Sequence, residues 1–305
     1  MTRLLVVGAN GQIGRELRRS LQPLGEVVAA TRDGRLDDGR ACAVADLSGP
    51  QSLVALVRDV APSAVVNAAA YTAVDKAESD VEAAFRINAE APAALAGACA
   101  AAGIPFVHYS TDYVFDGQGT RPYREDDPTA PLGVYGASKL AGEEAVRAAG
   151  GRHLIFRTAW VYAAHGHNFL RTMLRLGAER EELRVVADQT GTPTPAALIA
   201  DVTTAALSQA LGPEARTSGT WHLVATGDTS WHGFAEAIFA EAVAAGLLPR
   251  APRVLPIATA DYPTPARRPA YSQLDTTRLR NDFGIDPPHW RDGLHSVIAG
   301  MDRGI

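Results

Sequence analysis

Four apolar residues, Leu4-Leu5-Val6-Val7, run directly into Gly8-Ala9-Asn10-Gly11-Gln12-Ile13-Gly14, and this junction constrains the fold more than any other stretch. The apolar run reads as a fully buried strand, and Arg15 to Leu24 continues as an amphipathic helix. The spacing Gly-x-x-Gly-x-x-Gly lets the backbone turn tightly between the two. It also lets main-chain atoms approach a pyrophosphate, to which the helix N-terminus offers free amide hydrogens. A tight strand–helix connection with no ligand can be written with the same letters. A strand before, a helix after and a place near residue 1 favour dinucleotide binding through Gly8, Asn10, Gly11, Gln12, Ile13 and Gly14.

Glu26 to Ala30 reads as the second strand, ending at Thr31-Arg32-Asp33. A site that prefers NAD places an acid there to hold the adenosine ribose hydroxyls. Thr31 stands about where that acid is expected, with Arg32 beside it. A hydroxyl and a guanidinium suit a 2′-phosphate, so NADPH is favoured. Asp33 keeps NADH open, and Arg32 could simply be solvated. Ala43 to Leu47 follows, with Asp46 either an adenine-side contact or a plain strand-end acid. Pro50 then opens a helix. Ala64-Val65-Val66-Asn67 is the next buried strand, running into small residues at Ala68, Ala69 and Ala70 and then Tyr71-Thr72. Small residues there let a flat ligand lie on the backbone, although a loop packed beneath the sheet needs them too. Ser79-x-x-Glu82 predicts a capping box for one long helix reaching about Ala102.

Ile104 to Tyr109 is the fourth strand and delivers Ser110-Thr111-Asp112-Tyr113 at its carboxyl end, where open parallel sheets bind ligands. A hydroxyl there can polarise a carbonyl oxygen. A proline- and acid-rich loop, 122–132, leads into Val134-Tyr135-Gly136-Ala137-Ser138-Lys139. Four residues apart on a helix, Tyr135 and Lys139 share one face, with their tips expected close together. An ammonium beside a phenol favours the phenolate and makes the phenol a better proton donor or acceptor near neutral pH. Tyr-x-x-x-Lys alone is common on surface helices. After a dinucleotide motif and a strand-end Ser/Thr, the conjunction points to hydride chemistry at a carbonyl.

With 305 residues, 47% of them apolar, the chain can bury a large core and exceeds one simple domain. A net charge of −5 gives no electrostatic footprint for nucleic acid or an anionic membrane surface. The Ala-rich stretch 91–102 is shorter than the ~20 apolar residues that span a bilayer. Two cysteines, Cys42 and Cys99, leave no disulfide scaffold, and a cytoplasmic location is expected.

Taken together, Gly8 to Gly14, Asn67-Ala68-Ala69-Ala70, Ser110 to Phe115 and Tyr135 to Lys139 resemble extended short-chain dehydrogenases/reductases. Narrower matches are Tyr71 to Glu78, Phe156 to Tyr162, Asp188 to Thr194 and Tyr262 to Pro269, which resemble the dTDP-4-dehydrorhamnose reductase family over essentially the whole chain. The resemblance implies reduction of the C4 ketone of a dTDP-sugar, with Thr111, Tyr135 and Lys139 as the catalytic set. It implies substrate contacts from Thr111, Asp112 and Trp160. It implies cofactor contacts from Gly11, Gln12, Ile13, Thr31, Asp46, Leu47, Ala70, Tyr71, Thr72, Tyr109, Tyr135 and Lys139. Thr31 replaces the acid of some relatives, which leaves NADPH against NADH open. Some relatives bind magnesium through carboxylates at a dimer contact; Pro195-Ala196-Ala197 offers none, so no metal is carried over, and a homodimer stays open.

Later in the chain, Arg152 to Thr158 predicts a strand ending at Trp160, which stacks on ligand or fills core. Arg268, in Arg267-Arg268-Pro269, can fork onto a diphosphate or be an ordinary surface arginine. His165-Gly166-His167 lacks a nearby cysteine or carboxylate to complete a metal site. Helices are predicted over 196–210 and 234–245, and a late strand over 221–224. The expected architecture is α/β. A doubly wound parallel sheet (Rossmann-type) spans 1–162 plus about 195–225, with a smaller interleaved α/β substrate lobe over about 163–194 plus 226–305. Rival readings are another nucleotide-sugar 4-ketoreductase and a non-catalytic NADP-binding regulatory subunit.

Overall fold

The computed structural model describes residues 2–212 and 218–301; residue 1, 213–217 and 302–305, which the expected boundaries include, lie outside the described residues. Strand β1 (Arg3–Val7) is buried at four of its five positions because both sheet faces are covered. Leu4 and Val6 face one apolar layer with Leu17, Leu21, Ile199 and Leu207. Leu5 and Val7 face the other with Leu53, Val57, Leu95 and Phe106. That two-sided burial is why the strand reads as an unbroken apolar run rather than an alternating one.

Helix α1 (Gln12–Ser20) follows the glycine turn and stops sooner than expected, giving way to a 3-10 turn at Gln22–Leu24, where Pro23 lacks the N–H to continue. Next come β2 (Glu26–Thr31), β3 (Ala43–Val44), α2 (Pro50–Val60) and β4 (Ala64–Asn67). Short helices α3 (Val74–Ala77) and α4 (Val81–Phe85) precede a π-helical turn at Arg86–Glu90 and then α5 (Ala91–Ala102). Strand β5 (Phe106–Thr111), helix α6 (Val134–Ala148) and strand β6 (His153–Thr158) complete the first half. The seven strands are parallel and run in the order Gly219–His222, β6, β5, β4, β1, β2, β3. The order reverses between β1 and β4, which opens a crevice at their carboxyl ends.

The capping box predicted at Ser79 and Glu82 does not form. Ser79 Oγ donates back to the Lys76 carbonyl at 3.1 Å, closing the turn after α3, and Glu82 pairs with Arg86 one turn on. The single long helix is also broken, because Pro92 has no N–H to give the Asn88 carbonyl and the winding widens there.

Beyond β6 the chain builds α7 (Phe169–Glu179), a parallel strand pair at Glu182–Val186 and Arg253–Ile257, and α9 (Trp231–Ala244). These share a core of Leu170, Leu174, Phe234, Ile238, Phe239 and Trp290. Between them α8 (Ala196–Ala210) returns to pack on α1, and Gly219–His222 adds to the sheet edge two residues earlier than predicted.

Candidate active site

The glycine turn is set by close backbone packing. Gly8 has φ +83°, and a Cβ there would stand 2.6 Å from Ala69 N, so β1 and the loop after β4 approach backbone to backbone. Gly11 caps α1 without a side-chain acceptor, which leaves the first-turn amides for an anion. Around this cradle, Gln12 Oε1 accepts from Asn168 at 2.8 Å, and Glu16 meets His165 at 2.7 Å. His165 is thus an α1 contact, and among the described residues no group of three His, Cys, Asp or Glu could hold a metal ion.

Asn10 ties the glycine turn to the loop after β2: its amide donates to Arg35 O at 2.9 Å and accepts from Asp37 N at 3.1 Å. Thr31 departs from expectation. Its hydroxyl is buried, accepts from Arg35 N at 3.0 Å and lies 3.0 Å from Asp33 Oδ1, closing the turn rather than facing a 2′-phosphate. The exposed Arg32 beside it keeps that role open. Asp46 is held below the usual carboxylate range by the Ser48 backbone N–H, and Leu47 is buried against α2. Tyr71, between Ala70 and Thr72, is clamped by Asn88, which accepts from Tyr71 N at 2.8 Å and donates to Tyr71 O at 3.1 Å.

Thr111 ends β5. Its hydroxyl donates to Asp112 Oδ1 at 2.9 Å and accepts from Tyr113 N at 3.2 Å. Burial pushes the Asp112 carboxyl up to about 6, against the lowering by Thr111, and its Oδ2 has no partner. Tyr135, in the first turn of α6, meets Tyr113 edge-on with ring centroids 5.4 Å apart. Burial raises the Tyr135 phenol well above its ordinary value, and the Thr111 hydroxyl pulls it partly back.

Tyr135 and Lys139 lie one turn apart on α6, and Lys139 finds its hydrogen-bond acceptor on β5. Lys139 Nζ donates to the Tyr109 carbonyl at 2.5 Å and lies 3.5 Å from His108 Nε2. A buried ammonium needs an acceptor, and β5 supplies the Tyr109 carbonyl. Burial brings Lys139 down to about 8, opposed by the Glu143 carboxylate. Glu143 is itself fixed in a buried two-bond pair with Arg157 of β6, at 2.8 and 2.7 Å. Tyr109 contributes its carbonyl; its own hydroxyl meets Thr203 Oγ1 at 2.7 Å.

Trp160 holds a left-handed φ of 47° and stacks on Trp231 with centroids 3.6 Å apart. Gly191 makes room for it, since a Cβ there would lie 2.5 Å from Trp160 Cε2. Arg268 donates to Asp75 Oδ2 at 2.6 Å and to Tyr113 Oη at 3.2 Å, so two distant sequence motifs meet. Arg268, Asp75 and Tyr113 line a cavity of about 850 Å³ together with Phe169, Trp231 and Tyr262.

Three positioning residues escape a reading by motif. Glu78 Oε1 accepts the Val134 N–H at 2.9 Å and so caps α6. Asn88 donates to Ser138 Oγ at 3.0 Å, and His108 backs Lys139. Only the acid of Tyr71 to Glu78 carried any hint.

The family profile described as RmlD substrate binding domain matches residues 1–303. The chain is 54% identical to a dTDP-4-dehydrorhamnose reductase of Burkholderia thailandensis over 98% of this chain and 99% of the relative. It is 46% identical to that of Escherichia coli K12 over 97% and 96%. Among solved structures, a dTDP-4-dehydrorhamnose reductase of Clostridium acetobutylicum superposes with TM-score 0.87 at 36% identity, covering 97% of this chain and 98% of that one. That of Bacillus anthracis, in complex with NADP, gives 0.85 at 35% identity, covering 97% and 99%. By descent and by fold, therefore, the chain belongs to the dTDP-4-dehydrorhamnose reductase family of extended short-chain dehydrogenases/reductases.

Proposed function

We propose that this protein reduces the C4 ketone of dTDP-4-dehydro-β-L-rhamnose to dTDP-L-rhamnose, with NADPH as reductant and NADH as a second acceptable one. The observation that carries the reading is the convergence of Thr111, Tyr135 and Lys139 at the sheet's carboxyl edge, in a chain of this family. When bound, the reduced nicotinamide supplies hydride to the ketone carbon. The cradle of Gly8, Gly11 and the first turn of α1 holds the pyrophosphate. Arg32 is the residue for a 2′-phosphate.

Thr111 holds the ketone oxygen and Tyr135 gives it the proton. Below pH about 8 Lys139 carries the charge that steadies the phenolate left behind. Trp160 is the stacking residue for the sugar nucleotide, and Arg268, held by Asp75 and Tyr113, is the guanidinium for its diphosphate. Residues 1–162 with about 195–225 form the cofactor body in this proposal, and about 163–194 with 226–305 the substrate lobe. A cytoplasmic site of action and a homodimer belong to it as well. Among the described residues no helix is long and apolar enough to cross a membrane.

Oxidation of NADPH by purified protein given dTDP-4-dehydrorhamnose, followed by absorbance, tests the reading. Its absence would leave a non-catalytic NADP-binding subunit, and turnover to a different epimer by NMR would leave another 4-ketoreductase.

A further inference from the structure

His108 is fully buried in β5, and no step above uses it. It sits in a hydrogen-bond chain whose polarity can be read from one end. The Ala69 backbone N–H, which can only donate, lies 3.2 Å from Asn67 Oδ1 and fixes that oxygen as the acceptor. Asn67 Nδ2 must then donate to His108 Nδ1 at 3.2 Å. With its Nδ1 accepting, a neutral His108 carries its proton on Nε2. That proton points at Lys139 Nζ, 3.5 Å away. Two donors facing each other do not bond, and the spacing agrees: it is a full ångström longer than the Lys139 contact with Tyr109 O at 2.5 Å.

We propose that His108, its proton held on Nε2 by the Ala69–Asn67 chain, is a positioning residue that opposes the ammonium form of Lys139. An amine at Lys139 can accept from Nε2–H; an ammonium cannot. The loop that meets Gly8 is thereby wired to the catalytic helix through three side chains. Burial keeps His108 neutral, well below the ordinary imidazole range, and the Lys139 charge adds to that. The other groups facing Lys139 act in both directions. Glu143, on its own helix and bound to Arg157 of β6 and Arg147, favours the ammonium, while Tyr135 stands one turn above with Asp112 beyond it.

The first test reads the tautomer directly and needs neither cofactor nor activity. In 15N-labelled protein, with His108 assigned through its Cβ–ring connectivities, Nδ1 is expected at the shift of an unprotonated ring nitrogen and Nε2 at that of a protonated one. The reverse pattern, or an imidazolium at neutral pH, overturns the proposal. The second test is Asn67→Asp. A carboxylate keeps the Ala69 bond but demands a proton on His108 Nδ1, turning the Nε2 lone pair toward Lys139. The basic limb of kcat/KM for NADPH-dependent reduction then moves to higher pH by about one unit, with KM for NADPH little changed. A folded variant whose limb does not move overturns the proposal. The kinetic arm rests on the reductase reading and the tautomer arm does not. Wild-type protein that turns over no sugar nucleotide but shows Nε2–H refutes the activity and leaves the His108 assignment standing.

Discussion

Glu78 Oε1 accepts the backbone N–H of Val134 at 2.9 Å, so the helix that carries Tyr135 and Lys139 is capped by a residue 56 positions earlier. A carboxylate at a helix N-terminus satisfies an otherwise orphaned donor and complements the helix dipole. Glu78→Ala is expected to cost about 1 kcal/mol and to lower Tm by roughly 2–4 °C in a chain of this size. Because the first turn of α6 positions Tyr135, kcat falls as well. Calorimetry together with steady-state kinetics checks both, and an unchanged kcat would confine Glu78 to stability.

Tyr135→Phe removes the proton donor and little else. Turnover is expected to drop by roughly 10²–10⁴, the range for loss of a general acid. NADPH affinity by fluorescence titration stays near the wild-type value. Retained turnover of dTDP-4-dehydrorhamnose would refute the role given to the phenol.

Asp112 makes stability depend on pH. Its folded pKa of about 6 lies above the ordinary carboxylate value near 3.9, so the unfolded chain loses its proton first. The stability present at low pH is therefore lost as pH rises from about 4 through about 6. Asp112→Asn keeps an acceptor for Thr111 and removes this loss. Its unfolding free energy relative to wild type is expected to improve between pH 4 and pH 8 by up to about 3 kcal/mol. Urea titrations at the two pH values measure the difference, and parallel curves would contradict the buried carboxylate.

Gly191→Ala drives a methyl group into the Trp160 indole. Trp160 is already stacked on Trp231. The expected result is a KM for the sugar nucleotide raised about tenfold, a change of about 1.4 kcal/mol, with the KM for NADPH unaltered. A rise in the NADPH term instead would place the indole on the cofactor side.

The parts of this molecule that are legible in the sequence are those fixed by local pattern. Leu4 to Gly14 declares itself because a doubly buried strand and a glycine turn leave few other foldings, and Tyr135 and Lys139 fall on one face of a helix by spacing alone. What spacing cannot supply is the third dimension. The acceptor for Lys139 is a main-chain carbonyl 30 residues away, and the partner of Arg268 lies 193 residues back at Asp75. Ser79 and Glu82 show the opposite failure, where a valid local motif loses to the turn closing α3 and to Arg86. Thr31 was placed correctly at the strand end, but its hydroxyl direction depends on the turn made by Asp33 to Arg35.

The Glu143–Arg157 pair has a consequence for how such a chain can diverge. With side-chain exposures of 0% and 4%, neither charge is solvated, and Arg157 depends on Glu143 for its ion pair. Losing Glu143 strands the Arg157 guanidinium at a cost of about 3–5 kcal/mol, whereas losing Arg157 leaves Glu143 its contact with Arg147 at 3.2 Å. Descendants therefore leave this arrangement more readily by way of Arg157 than by way of Glu143.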